Sequence, residues 1–261
     1  MMLAADLSRE DGWAERLRIV CLWLFALMPL ALLFTRTGAE ILMAVIGLSF
    51  LAVVFTRRRW AVFAAPILAV LVLLWLYLMA VNTPLAWWEP GRVLGRSVPW
   101  LRFFCLFGAV VFWLFRDARD FQTLALVWGA TLAFCVIDGL TQGFIGTSLS
   151  GHPVFVGQRL TGPLDRPNIG RFTALLFYPA LAAFLIARER SLDHLRVAAL
   201  ALLVLIVSFF IVYTAERGAT LLSLATLFLA LFIVIVLVPR YRLAGIGIMV
   251  VTLGISYAAV W

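Results

Sequence analysis

The chain contains no lysine, two histidines and three cysteines in 261 residues, and only 13% of its residues are charged. Each scarcity removes a class of chemistry. Cys21, Cys105 and Cys135 lie inside apolar runs and follow no metal-ligand spacing, so neither a disulfide framework nor a cysteine-built metal site is expected. They read as small buried hydrophobes. His152 and His194 stand alone, the first as a surface loop residue and the second in a turn. No paired-carboxylate metal motif, histidine cluster, Walker loop or G-x-S-x-G elbow occurs, which leaves cytosolic nucleotide chemistry without its residues and makes neither a metal nor a cofactor expected. Met1–Arg16 is polar and charged, so no cleavable leader is expected there. No internal repeat and no low-complexity linker breaks the chain, and residues 1–261 read as a single transmembrane domain.

What is abundant is apolar. Hydrophobic residues make up 65% of the chain and mean hydropathy is +1.08, more than a soluble domain of this length can hide. With lipid as solvent, backbone polar groups must be satisfied inside helices or a closed barrel. Runs of about 17–25 apolar residues without strand-like alternation select helices. The expectation is an all-α polytopic membrane protein with about nine transmembrane spans, at 17–34, 39–55, 60–80, 99–115, 121–144, 171–187, 197–214, 218–238 and 243–261.

All 21 basic residues are arginine, and the formal net charge is +8. A GC-biased genome or topogenic charge would account for that, as would phosphate recognition, for which guanidinium forks are better suited than ammonium groups. The arginines are dispersed between spans, so no nucleic-acid partner is expected. Their placement orients the chain. Arg9, Arg16, Arg18, Arg57, Arg58, Arg59, Arg116, Arg119, Arg188, Arg190, Arg196, Arg240 and Arg242 fall on the side of the N-terminus, which is therefore expected to be cytoplasmic. The opposite side receives Arg36, Arg92, Arg96, Arg102, Arg159, Arg166, Arg171 and Arg217, a set that topology alone does not explain.

Two places concentrate these outer arginines. Residues 151–171, GHPVFVGQRLTGPLDRPNIGR, form the core of an outer loop between spans five and six and hold Arg159, Arg166 and Arg171. Gly157, Gly162 and Gly170 permit close approach or positive-φ turns, Pro163 and Pro167 stiffen the segment, and Asn168 or Asp165 can cap the helix starting near Ile169. The arginines would then sit beside a helix N-terminus that favours anions. The plainer alternative is a solvated basic loop against anionic headgroups. The second place is Arg217, which with Glu216 makes up all the charge between Val197 and Val238. A functional arginine and a local Glu216–Arg217 turn pair are both open readings. Arg92 and Arg96, near Trp87, Trp88 and Trp100, read as an interfacial anchor or as the place where a lipid diphosphate docks. Asp138, near the outer end of span five, is either exposed at the interface or orients an outer arginine.

Outside the cytoplasm there is no ATP, so a reaction there needs a donor that is already activated. A lipid-linked diphosphate sugar is one. Arginines would bind its phosphates and stabilise the departing diphosphate, an effect worth about 2.7–4 kcal/mol per donor group in comparable sites.

With these residues the chain resembles the bacterial O-antigen ligase and O-antigen polymerase group of membrane glycosyltransferases. The carrying features are RLTGPLDRPNIG, in which ten residues separate Arg159 from Gly170, and Arg217-Gly218-Ala219-Thr220-Leu221, which matches the R-x3-L pattern of the ligases. The first resembles both the R-x10-G element of the polymerases and the arginine-glycine-asparagine loop of the ligases. The resemblance implies a metal-independent transferase with a GT-C-like helical bundle in the bacterial inner membrane, active on the periplasmic side. It would move an O-antigen glycan from undecaprenyl diphosphate to a lipid A-core hydroxyl. Arg159 and Arg217 would be catalytic, holding the donor diphosphate, with Arg166, Arg171, Asn168, Gly170, Arg92 and Arg96 assisting binding. The family's acceptor-activating histidine lies in a large outer loop after span nine, so this sequence is expected to be the N-terminal part of a longer ligase. A polymerase of the same group, or a transporter or flippase of an anionic lipid, is the alternative.

Overall fold

A computed structural model of the chain describes residues 12–86, 100–155, 159–164, 166–187 and 194–237, with scattered positions beyond 242. Among these residues the regular structure is helical: α1 (Gly12–Phe34), α2 (Arg36–Thr56), α3 (Pro66–Ala86), α4 (Leu101–Ala109), α5 (Ala118–Ile145), α6 (Ile169–Ala187), α7 (His194–Tyr213) and α8 (Arg217–Leu237). Helices α1, α2, α5 and α6 are long and apolar enough to cross a membrane. Large apolar side chains such as Phe34, Leu48, Leu126, Phe144 and Leu221 face outward, where lipid rather than water is their matching solvent. These features mark a membrane protein.

The eight helices fall on the first eight expected runs, with two local departures. The 60–80 run is broken: a 3-10 turn at Trp60–Ala64 ends at Ala65, and Pro66 starts α3. Proline has no amide to donate and suits a first helical position, not an interior one. The 99–115 run changes at Val110 into a π turn, Val110–Leu114. The last expected run, 243–261, lies largely outside the described residues.

The chain gathers into two compact units, Met1–Thr123 and Leu124–Trp261. In the first, α2 packs on α1 and α4 around buried Cys21, Ile46, Phe50, Val53 and Trp113. Small residues bring these helices close, as lipid-embedded packing favours. A Cβ at Gly108 would come within 2.9 Å of the Phe50 ring, and one at Gly47 within 3.1 Å of the Cys105 Cβ.

Arg18, read from the sequence as topogenic, also has a structural role. It is 4% exposed and forms the centre of a polar network. Its Nη1 donates to the Leu114 carbonyl at 2.7 Å and to Asp120 Oδ2 at 2.8 Å, while Nη2 meets Glu15 at 2.7 Å. The π turn ends at Leu114, and its carbonyl finds its donor in Arg18. Asp120 Oδ2 also accepts the Arg116 amide at 2.9 Å and the Asp117 amide at 3.2 Å, capping the start of α5. Arg36 and Arg102 both reach Glu40, at 3.2 and 3.5 Å.

The second unit packs α6 against α7 and α8, with Leu132 of α5, Phe177, Ile211 and Ala219 in its core. Gly139 and Gly143, one turn apart on α5, receive aromatic rings of α7. A Cβ there would lie 2.6 Å from Phe210 and 2.7 Å from Tyr213. Tyr178 of α6 donates its hydroxyl to the Ser223 carbonyl of α8 at 2.6 Å.

Removing one partner of a buried pair leaves the other charge without compensation. Arg18→Ala is therefore expected to destabilise the protein by about 3 kcal/mol. Glu40→Ala, which frees two more exposed arginines, should change stability by less than about 1 kcal/mol. Denaturation in detergent measures both.

Candidate functional site

The loop after α5 is folded back on itself. Gly146, at φ 89°, turns the chain off the helix, and Val154 returns its amide to the Gly146 carbonyl at 3.1 Å. Ser148 donates to the His152 carbonyl at 2.8 Å around a tight turn at Gly151, φ 86°. A second bridge pairs Phe155 with Arg159, whose carbonyl accepts the Phe155 amide at 3.0 Å. Arg159 is exposed there, whereas Leu160, Thr161, Gly162 and Pro163 are buried.

The buried strip is held by Gln142, a fully buried residue in the last turns of α5. Its Nε2 donates to the His152 and Pro153 carbonyls at 3.1 and 2.9 Å and to Thr161 Oγ1 at 2.8 Å. Its Oε1 accepts the Thr161 and Gly162 amides at 2.8 and 2.9 Å. One carboxamide thus ties both limbs of the loop to the helix. One turn earlier, Asp138 is neither exposed nor set against an arginine, contrary to both expectations. It is fully buried, and its Oδ1 accepts the Ser150 amide at 3.1 Å. His152 is half-buried within the same fold-back.

At the far end of the loop α6 begins, and its first amides need partners. Sequence reasoning assigned that task to Asn168 or Asp165. Asp165 lies outside the described residues. Asn168 is exposed and contributes its carbonyl to the Phe172 amide at 3.0 Å. The cap comes instead from Glu216, in the connection between α7 and α8. Its Oε1 accepts the Gly170 amide at 2.7 Å and its Oε2 the Arg171 amide at 3.2 Å. A carboxylate at this position also complements the positive end of the helix dipole. Gly170 has to be glycine because a Cβ there would overlap Thr214 Oγ1. Ala215, just before the carboxylate, sits at φ 57°, a left-handed conformation costing a residue with a Cβ about 1–2 kcal/mol. The expected local Glu216–Arg217 turn pair gives way to this long-range contact.

Two arginines gather around the cap, and a third, Arg217, follows it in sequence. Arg171 is the third residue of α6, and its Nη2 is 3.9 Å from the place a Gly218 Cβ would occupy, so its guanidinium reaches the start of α8. Arg159 and Arg171 are both close enough to favour the charged Glu216 carboxylate electrostatically. Burial is the larger effect and moves its pKa above the ordinary carboxylate value, against the pull of the two amides and the two arginines. Arg159, Arg171 and Arg217 are all exposed, with their charged ends available to a ligand. Arg166 and Asn168 are exposed on the intervening loop, and Gly170 is buried beneath the cap. Arg92 and Arg96 lie outside the described residues. No group of three or more histidine, cysteine, aspartate or glutamate side chains among the described residues is placed to hold a metal. Guanidiniums from a loop and a helix start, those of Arg159 and Arg171, lie near one carboxylate, an arrangement that suits a phosphate-bearing anion.

Gln142 is the residue the sequence reading missed, and Glu216 was read there only as a local partner of Arg217. The available signal for Gln142 was its i,i+4 spacing from Asp138, which places two polar groups on one face of an otherwise apolar helix. Comparisons with family models, with curated proteins and with solved structures return no match.

Gln142→Leu would strand the Thr161 and Gly162 amides, each worth about 1–3 kcal/mol when left buried and unpaired. Hydrogen exchange at those two amides should accelerate by about tenfold or more. Exchange along α7 and α8 should stay as in the parent protein.

Proposed function

We propose that the chain is a membrane glycosyltransferase of the O-antigen ligase type, acting on an undecaprenyl-diphosphate-linked glycan. The observation that carries this reading is that Arg159 and Arg171 lie near the Glu216 cap, which Arg217 directly follows in the chain. Arg159 and Arg217 belong to the two motifs on which the family resemblance rests, Arg171 directly follows the first of them, and the two motifs are far apart in the sequence. In this reading the bundle has nine spans and a GT-C-like arrangement, with the N-terminus in the cytoplasm. The arginine cluster faces the periplasm of a bacterial inner membrane.

Arg159 and Arg217 grip the diphosphate and offset the negative charge that grows on it as the glycosidic bond to the sugar breaks. Arg171 lies beside them, and Arg166 extends the basic surface toward the glycan. Arg92 and Arg96 guide the lipid diphosphate from the headgroup layer. The acceptor is the hydroxyl of a lipid A-core sugar, and no metal takes part. Preorganised guanidiniums need little reorganisation when charge develops, which is how such donors lower a barrier.

Binding of undecaprenyl diphosphate to the protein in nanodiscs tests the donor site. A charge-assisted hydrogen bond is worth about 1.5–3 kcal/mol, so Arg159→Ala and Arg217→Ala should each weaken binding by about tenfold to a hundredfold. Arg36→Ala should leave it unchanged. Unchanged affinity in both cluster variants would overturn the reading. With glycan-loaded donor, transfer to core lipid marks a ligase and lengthening of lipid-linked chains a polymerase. Lipid translocation in liposomes with no transfer would favour a transporter.

A further inference from the structure

Glu216 is an odd neighbour for a site meant to bind an anion. Its negative charge lies among the arginines that would receive the phosphates, and its carboxylate occupies the amides that begin α6, groups that could otherwise bind phosphate themselves. Charge alone says that the site would bind a diphosphate more tightly without it.

The geometry says what it does in return. The carboxylate ties the first residues of α6 to the connection that starts α8, and among the described residues it is the side chain that accepts the Gly170 and Arg171 amides. Arg171 is itself one of the two capped residues, so the cap fixes the backbone from which its guanidinium projects. Arg217 follows Glu216 directly, so the same contact fixes the start of α8. Arg159 is drawn to the same carboxylate from the loop. The close seat of Thr214 on Gly170 and the left-handed Ala215 hold the connection in the shape that delivers the carboxylate. A backbone conformation with a cost is retained where surrounding contacts over-determine it.

We propose that Glu216 is the positioning residue of the arginine cluster: by capping α6 from the α7–α8 connection it sets Arg171, Arg217 and Arg159 at the separations a diphosphate requires. This rests on the reading of the cluster as a diphosphate site. It assigns the helix amides to the protein's own carboxylate and leaves the phosphates to the guanidiniums. Glu216 does not touch the substrate.

The test uses undecaprenyl diphosphate and nanodiscs of uncharged lipid. Glu216→Ala removes both acceptors and should weaken binding by about tenfold, although it makes the site more positive. Glu216→Gln keeps one acceptor oxygen for the Gly170 amide and should recover only part of that loss.

Acidification supplies a readout that does not depend on a variant folding. Protonation of Glu216 removes its charge and one acceptor, so wild-type affinity should fall as pH is lowered from neutral, while Glu216→Gln, which retains Arg159, Arg171 and Arg217, follows only the titration of the ligand. The sign for stability is opposite. A carboxyl with a raised folded-state pKa contributes stability that is present below its unfolded pKa and lost as pH rises through its folded pKa. A fall in affinity on acidification through that window is therefore not loss of the fold by this group.

Equal or tighter binding by Glu216→Ala, or identical pH profiles for wild type and Glu216→Gln, would overturn the proposal. If Arg159→Ala and Arg217→Ala weaken binding while Glu216→Ala does not, the positioning role fails and the diphosphate site stands. If the arginine variants bind as wild type, the diphosphate reading itself fails.

Discussion

The contact between the Glu216 carboxylate and the Gly170 and Arg171 amides holds the candidate site together. A helix start leaves amides without partners, and in a membrane protein neither lipid nor a distant polar loop supplies them cheaply. Here the partner comes from the connection between two other helices. The same bond that satisfies α6 therefore ties it to the connection where α8 begins, and Arg171 and Arg217 extend from the two segments it joins. Glycine at 170 is the steric condition for that approach.

Gln142 does for the loop what Glu216 does for the helix start. Its five hydrogen bonds bind a segment with little regular structure to the end of α5. Behind it, Gly139 and Gly143 let α7 lie close, so the helix that anchors the loop is itself packed against the helix leading to Glu216. Packing of small residues thus determines the framework, and one buried and one half-buried polar side chain hold the candidate site. In the first unit Arg18 plays a comparable part, closing a π turn and the start of α5 with one guanidinium.

The helices were legible because lipid solvent imposes a simple rule, a run of about 20 apolar residues, and the chain obeys it nearly throughout. The break at Ala65–Pro66 is written in the proline itself. The π turn was not legible, because the Leu114 carbonyl finds its donor in Arg18, 96 residues away. The arginines of the candidate site could be picked out by their type and expected side, but the segments that carry Arg171 and Arg217 are joined by a carboxylate 46 residues from the amide it caps. Local reasoning chose nearby caps at Asn168 and Asp165 and a nearby partner for Glu216, since sequence shows neighbours and not approaches. Asp138 misled for the same reason: its partner is the Ser150 amide of a loop that folds back over it.

The most direct measurement is photocrosslinking with an undecaprenyl-diphosphate analogue whose reactive group sits next to the diphosphate, followed by peptide mapping. If the cluster is the donor site, label appears both in 155–171 and in 213–221 and is competed away together by unlabelled undecaprenyl diphosphate. Competed label confined to other segments, with neither of these two marked, would contradict it.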